Sequence, residues 1–146
     1  MTYLLDTNVV SEIRKKERCH AAVARWWSGT HPEQFYLSAL VLGEIRRGIE
    51  QVRPRDPAQA RALERWLAAL ADGFRDRILP VDQPVADEWG RMAAVRSLPI
   101  IDGLLAATAR VHDLTLVTRD VGDLAGCGAR LLDPFSERQP IPPALR

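Results

Sequence analysis

The sequence predicts an α/β fold, a three-layer α/β/α domain with a short, mostly parallel central sheet. Short apolar runs alternate along the chain with longer segments in which apolar residues recur at helical spacing. Strands that alternate with helices build parallel sheets that are covered on both faces. A length of 146 residues, 47% of them hydrophobic, is enough for one core but too short for two ordinary domains. We therefore expect one domain over residues 1–136.

Two strand-to-helix transitions organise the first half of the chain. Asp6-Thr7-Asn8 follows an apolar run with residues that favour helix caps, and Ser38 follows a second run in the same way. In the helix after Ser38, Glu44 borders an apolar face. The predicted elements are strands over residues 3–5 and 35–37, and helices after Asp6, over 20–29, over 39–51 and from Pro57 to Phe74.

The second half brings further acids to the ends of apolar segments. Pro99 interrupts the chain before Ile100 and Ile101, and Asp102 is expected to open a helix to about residue 112. A strand over residues 114–118 ends in Arg119-Asp120, with Asp123 one helical turn later. The other predicted elements are a strand over 78–81, a helix over 83–96, a last strand over 130–132 and a proline-rich tail over 137–146, expected to be extended or disordered.

Composition excludes several classes of protein. The 20 basic and 19 acidic residues nearly balance, so net charge alone gives no argument for a polyanionic partner. Cys19 and Cys127 provide neither a disulfide framework nor a paired-thiol metal signature, and a reducing, cytoplasmic setting fits best. No leader pattern and no membrane-length apolar stretch is present in the sequence. We expect a soluble protein that is not a membrane component.

Four carboxylates, from Asp6, Glu44, Asp102 and Asp120, are the candidate site. In open α/β sheets ligands bind beyond the carboxyl ends of the strands, where Asp6 and Asp120 fall and where Asp102 would begin a helix. Taken singly, each aspartate is explained as a helix cap. Glu44 at a core margin needs a partner, either the site or a neighbouring arginine.

Together, these acids predict a metal site. Carboxylates drawn to one rim would repel each other unless a cation neutralised them, and oxygen ligands select hard ions such as Mg²⁺ or Mn²⁺. Such an ion lowers the pKa of water and stabilises charge on a phosphodiester. The chemistry indicated is hydrolysis of nucleic acid or phosphoryl transfer.

The motifs that carry these acids resemble a known family. Leu4-Leu5-Asp6-Thr7-Asn8 at the N-terminus, Gly43-Glu44-Ile45, the segment that Asp102 opens, and Val117-Thr118-Arg119-Asp120 with Asp123-Leu124 are similar to those of the PIN domain. More narrowly, they resemble the VapC toxins of bacterial toxin-antitoxin pairs, especially the FitB-like branch. The four motifs occur in the family's order over about residues 3–133.

The resemblance implies a ribonuclease that depends on Mg²⁺ or Mn²⁺, is inhibited by a cognate DNA-binding antitoxin and forms a homodimer. Its acids correspond to Asp6, Glu44, Asp102 and Asp120. Family members often carry Asn at the last position with an Asp three residues later, so Asp123 is a further metal-ligand candidate. Thr7, Asn8 and Thr118 fall at auxiliary positions, and ordinary capping and turn chemistry is the alternative for them.

Basic residues flank the proposed metal site in the sequence. Phosphate contacts to such residues would give RNA affinity without sequence specificity, and a solvated helix face is the alternative. The tryptophans Trp26, Trp27, Trp66 and Trp89 lie at amphipathic spacing and are expected in the core or a dimer interface. The expected phosphate contacts are Arg14, Lys15, Lys16, Arg46 and Arg47, with Arg18 nearby.

Two rival functions remain open from the sequence. A Mg²⁺-dependent aspartyl phosphatase of the haloacid dehalogenase type also places an aspartate after its first strand, but it needs a second Asp two residues later, where this chain has Asn8. A non-catalytic PIN module that binds RNA or protein is the other, and the intact acids argue against it. For the homodimer, we expect pairing through the helices of residues 39–74.

Overall fold

A five-stranded sheet forms the centre of the computed structural model, which describes residues 1–136. The strands are β1 (Tyr3–Leu5), β2 (Phe35–Ser38), β3 (Ile78–Leu79), β4 (Thr115–Val117) and β5 (Arg130–Leu132). Their order is β3-β2-β1-β4-β5, and every neighbouring pair is parallel. The predicted parallel sheet is therefore confirmed, and the central strand β1 pairs with β2 on one side and β4 on the other.

Seven α-helices connect these strands within residues 1–136. They are α1 (Thr7–Ile13), α2 (Ala21–Ser28), α3 (Ala39–Val52), α4 (Pro57–Gly73), α5 (Gln83–Val95), α6 (Ile100–Val111) and α7 (Val121–Leu124). Capping begins several of them as the sequence predicts: the Ser38 hydroxyl accepts a hydrogen bond from the N–H of Leu40 at 3.1 Å. Single 3₁₀ turns lie at Lys16–Arg18, Pro32–Gln34 and Arg75–Arg77.

The helices form two layers, one on each face of the sheet. The chain runs from β1 through β2 to β3 in one direction and then crosses to β4 and β5 on the other side of β1. Because such crossovers are right-handed, the reversal moves the connecting helices to the opposite face. In agreement, α1 packs on α2 and α3, and α3 packs on α4, while α5 packs on α6. The three-layer prediction is confirmed.

The core fills the space between the sheet and both helix layers. Leu4, Leu5, Leu37 and Leu116 of the strands are buried, and all four tryptophans pack against the core as partly buried side chains. Trp27 stacks on the buried Phe35 with ring centroids 4.2 Å apart. The tryptophans therefore belong to the hydrophobic framework.

Several predicted boundaries are wrong by one or two residues. Strand β3 ends at Leu79 rather than residue 81, and β4 spans Thr115–Val117 rather than 114–118. Helix α6 begins at Ile100, so Asp102 lies inside its first turn instead of opening it. The cause is Pro99, whose carbonyl accepts a hydrogen bond from the N–H of Gly103 at 2.9 Å. The predicted tail of residues 137–146 lies outside the described residues.

Within residues 1–136, we find no single helix that is both long enough and apolar enough to cross a membrane. Helices α5 and α6 would pass by length and composition only when taken as a pair, and they are bent by 119°. Much of α6 is buried in the core, including Leu105, Ala106 and Ala107.

Candidate active site

The candidate site lies at the carboxyl ends of β1 and β4, where the order of the sheet reverses. These two strands are adjacent, with Leu5 opposite Val117 in register. Asp6 is the first residue after β1, and Thr118 is the first residue after β4. A reversal of strand order opens a crevice between the two connections, which is where open α/β sheets bind ligands.

Asp6 is held rigidly at the base of this crevice. Its backbone N–H donates to the carbonyl of Val117 at 2.9 Å. Its Oδ1 accepts from the N–H of Thr7 at 2.7 Å, and its Oδ2 accepts from the hydroxyl of Thr118 at 2.8 Å. Only 5% of the residue is exposed. Burial raises the pKa of Asp6 to about 6, against the opposing effect of these two hydrogen bonds and with a further increase from the charges of Asp102 and Glu44.

Thr118 and Asn8 connect Asp6 to Asp120. The buried Thr118 hydroxyl, which donates to Asp6, also accepts from the N–H of Asp120 at 3.1 Å. The Asn8 amide donates to Oδ2 of Asp120 at 3.3 Å, and its Oδ1 accepts from the N–H of Arg119 at 3.2 Å. Thr118 and Asn8 therefore orient the carboxylates of two different strand ends, in addition to shaping the local turn.

Three aspartates converge in the crevice. One carboxylate oxygen from each of Asp6, Asp102 and Asp120 lies within 4.8 Å of the others. Asp102 reaches the group from the first turn of α6 and is half-buried. Burial raises the pKa of Asp102, and the charges of Asp120, Glu44 and Asp123 raise it further. Like charges are thus brought together in a partly desolvated space.

Glu44 and Asp123 lie beside this group. Glu44 is half-buried on α3, and its Oε1 accepts the hydroxyl hydrogen of Thr7 at 2.6 Å. Asp123 is exposed on α7, and its charge acts on Asp102. All five predicted acids therefore surround one space. The group whose oxygens converge, however, contains Asp6, Asp102 and Asp120 and neither Glu44 nor Asp123.

The donor set of the three aspartates suits a hard cation. It consists of carboxylate oxygens, which are the preferred ligands of divalent ions such as Mg²⁺, Ca²⁺ and Mn²⁺. The raised pKa values of Asp6 and Asp102 mean that the ionised cluster is unfavourable by itself. A bound cation would remove that cost, so the residues present fit a metal site.

The predicted phosphate contacts differ in whether a carboxylate of the protein already pairs with them. Arg14 and Arg47 are exposed beside Glu44: Arg14 lines a cleft with Thr7 and Glu44, and Arg47 lines a second cleft with Glu44 and Ile101. Arg46 instead pairs with Glu64 of α4, with Nη1 to Oε1 at 2.6 Å. Lys15 pairs with Glu12 at 2.6 Å. Lys16 is exposed in the turn after α1. Arg14 and Arg47 thus lie beside an acid of the site, whereas Arg46 and Lys15 each pair with another carboxylate. The phosphate contacts of all five residues stay a prediction.

One residue that positions the site was missed from the sequence. The guanidinium of Arg96, between α5 and α6, donates to the carbonyl of Asp123 at 2.7 Å and also to the carbonyl of Ala125. Arg96 thereby connects the segment before α6 to the end of α7. Helix α6 carries Asp102, and helix α7 carries Asp123. No local pattern marks such an arginine, because its partners are backbone atoms distant in sequence.

Comparison with known proteins identifies the family to which this fold and site belong. The PIN domain model matches residues 3–123. The chain therefore belongs to the PIN domain family, and the haloacid dehalogenase-type alternative is removed.

Individual relatives narrow the comparison within that family. The chain is 32% identical over 139 residues to Toxin FitB of Neisseria gonorrhoeae, covering 92% of this chain and 99% of that protein. It is 31% identical over 140 residues to VapC ribonuclease Y4jK of Sinorhizobium fredii, covering 90% and 96%. A solved structure of FitAB bound to an IR36 DNA fragment matches with a TM-score of 0.84 and 28% identity, covering 94% of this chain and 99% of that chain.

Proposed function

We propose that this chain is a metal-dependent endoribonuclease that acts as the toxin of a toxin-antitoxin pair. The convergence of Asp6, Asp102 and Asp120 within 4.8 Å carries the proposal. Three separate segments bring these acids to the ligand-binding edge of the sheet, at a cost that helix capping alone does not explain. The relatives named as ribonuclease and toxin support the choice of substrate and role.

Mg²⁺ or Mn²⁺ is the proposed cofactor, held by Asp6, Asp102 and Asp120 with Glu44 and Asp123 at the margins. When bound, the ion lowers the pKa of water and stabilises negative charge on the phosphodiester that is hydrolysed. The protein contributes the fixed geometry. Thr118 and the N–H of Thr7 orient Asp6, Asn8 orients Asp120, and the Thr7 hydroxyl orients Glu44.

The proposed partners are an RNA substrate, a DNA-binding antitoxin and a second copy of the chain, acting in the cytoplasm without a membrane. The antitoxin follows from the relative solved as FitAB on DNA. Growth arrest on expression alone, relieved by the product of a short adjacent gene, would support it. No arrest, or arrest that such a product fails to relieve, would contradict the toxin role.

The homodimer stays a prediction, and so does its pairing through the helices of residues 39–74. Within residues 1–136, none of the exposed large hydrophobic side chains lies in residues 39–74; they are Met1, Val81, Val95, Ile100 and Val111. The molecular mass in solution at micromolar concentration tests the dimer. If the exposed surface around Val81 and Ile100 forms the interface, replacing both residues by Ser should lower the measured mass to that of the monomer.

Cleavage of RNA by the purified protein tests the enzyme. We expect cleavage with Mg²⁺ or Mn²⁺ and none with EDTA. Asp6→Asn and Asp102→Asn should each lower the rate at least about a hundredfold while the fold survives. Asp113→Asn is the matched control, because Asp113 lies before β4 at the opposite end of the strands, is exposed, and has a φ of 56° that Asn also adopts.

Equal cleavage by Asp6→Asn and the wild type would contradict the assignment of Asp6. RNA binding without cleavage under any divalent ion would instead favour the non-catalytic PIN module.

A further inference from the structure

Arg119 lies between Thr118 and Asp120, and no role follows for it from the sequence. Its N–H donates to Oδ1 of Asn8, the residue that also holds Asp120. Its backbone is therefore tied to the acid cluster, while its side chain is exposed. The backbone of Arg119 therefore lies at the Asp120 margin of the crevice.

The Arg119 guanidinium rests on an aromatic ring. It lies 4.4 Å from the ring centroid of Phe135, which is half-buried in the segment after β5. His20 contacts the same Phe135 ring edge-on, with centroids 5.4 Å apart. Stacking on a ring face leaves the N–H groups at the edge of a guanidinium available, because those groups lie in its plane.

In the part of the chain described by the structure, the Arg119 guanidinium has no hydrogen bond or ion pair to a carboxylate. Several other arginines do: Arg46 pairs with Glu64, Arg91 with Asp87, and Arg130 with Asp113. The Arg119 guanidinium is therefore available to an anion that residues 1–136 do not supply.

Charge balance around the crevice indicates what that anion is. The acid cluster repels a nucleic acid backbone, so cations beside it must attract the phosphates that flank the reacting one. Arg14 and Arg47 lie on the Glu44 side. Arg119 directly precedes Asp120 in the chain, and Asn8 binds both residues. An RNA strand that crosses the cluster from Glu44 to Asp120 therefore runs from Arg14 and Arg47 towards Arg119.

We propose that Arg119 binds a backbone phosphate of the RNA substrate next to the one at the acid cluster, and that Phe135 is the residue that positions Arg119. The proposal rests on the proposed function for the identity of the ligand. A guanidinium suits it because its planar donors match two phosphate oxygens, and because the stacked side chain has less conformational freedom to lose on binding.

Binding of a labelled, unstructured oligoribonucleotide tests the proposal, measured by fluorescence anisotropy in EDTA on the Asp6→Asn protein. Adding Arg119→Gln should weaken binding about tenfold at low salt and reduce the slope of log affinity against log salt by about 0.7, the value for one phosphate contact on a single strand. Arg130→Gln removes the same charge at the other end of the strands and should change neither value. Unchanged affinity and slope in Arg119→Gln would overturn the proposal.

Two further substitutions separate charge from position. Phe135→Leu should weaken binding severalfold with the salt slope unchanged, because the charge remains but is less well held; Phe135→Tyr should restore affinity. Arg119→Lys should keep the slope and recover part of the affinity. Two results would contradict the positioning role. One is an affinity of Phe135→Tyr as low as that of Phe135→Leu, and the other is wild-type affinity in Phe135→Leu.

The outcomes also distinguish this proposal from the ribonuclease proposal. Cleavage by the wild type together with unaltered RNA binding in Arg119→Gln would overturn the role of Arg119 alone. Weakened RNA binding in Arg119→Gln, in a protein whose wild type cuts no RNA with any divalent ion, would support the phosphate contact and overturn the nuclease.

Discussion

Two charged regions of the molecule differ in how their carboxylates are paired. On the surface between α3 and α4, Arg46 and Arg53 both pair with Glu64, at 2.6 and 2.9 Å, and Arg53 pairs with Glu50 at 2.7 Å. In the crevice at the sheet edge, carboxylates gather with one another instead. In the surface network each carboxylate pairs with an arginine of the protein. In the crevice the clustered carboxylates need a cation as a ligand to balance their charge.

The pKa directions express the same difference. Hydrogen bonds from Arg46 and Arg53 hold the pKa of Glu64 and of Glu50 below the usual range. Burial and neighbouring acids raise the pKa of Asp6 and of Asp102. A protein that keeps an unfavourable cluster of this kind gives up stability at a site where a ligand acts. We therefore expect the two regions to respond differently to pH, divalent ions and mutation.

The first expected difference between the two regions is the response of metal-free protein to pH. The pKa of Asp6 rises from an ordinary value of 3.8 to about 6, so the folded state binds this proton more tightly than the unfolded chain. The contribution of Asp6 to stability is therefore fully present below pH 3.8 and is lost as pH rises through 6. The total is at most about 3 kcal/mol, and a little under half of it falls between pH 5 and 7.

Urea unfolding in EDTA at these two pH values measures the change. Asp6→Asn, which has no such titration, is the control and should lose less stability over this interval. At pH 7 it should also be more stable than the wild type. An equal pH response in both proteins would contradict the raised pKa of Asp6.

Divalent ions should reverse that loss. An ion that binds only the folded protein stabilises it by about 2.7 kcal/mol at one hundred times its dissociation constant. We expect Mn²⁺ or Mg²⁺ to raise the melting temperature at pH 7, and K⁺ at matched ionic strength to leave it unchanged. The shift should disappear in Asp102→Asn and persist in Glu64→Gln. A shift of the same size in Asp102→Asn would place the ion elsewhere.

The sequence predicts much of this site because its acids occupy strand ends and helix starts, which local patterns reveal. The Ser38 cap, the border position of Glu44 and the acids after β1 and β4 all follow from short-range spacing. The bond from Thr118 to Asp6 does not, because it needs β1 and β4 to be neighbours, and residues 112 positions apart carry no local signal of that. Likewise, the pairing of Arg46 with Glu64 depends on how α3 packs on α4.

Thr118 allows a smaller, sharper test of the crevice. Thr118→Val keeps the shape but removes the hydroxyl that donates to Asp6 and accepts from the N–H of Asp120. We expect a loss of about 1–2 kcal/mol at pH 7. Because this hydrogen bond lowers the pKa of Asp6, its loss should also move the titration of Asp6 to higher pH. Thr118→Ser retains the hydroxyl and should behave like the wild type in both measurements; a Ser variant as impaired as Val would indicate packing instead.

The smallest expected effect belongs to the surface network. Glu64→Gln removes the carboxylate shared by Arg46 and Arg53, but all three side chains are exposed enough for water to replace the contacts. We expect the melting temperature to fall by about 2 °C or less at low salt, and the difference to vanish near 1 M salt, where screening is almost complete. RNA cleavage and divalent-ion binding should be unchanged. If Glu64→Gln instead abolished the stabilisation by Mn²⁺, the two regions would be coupled, and the contrast between paired and unpaired charge would not hold.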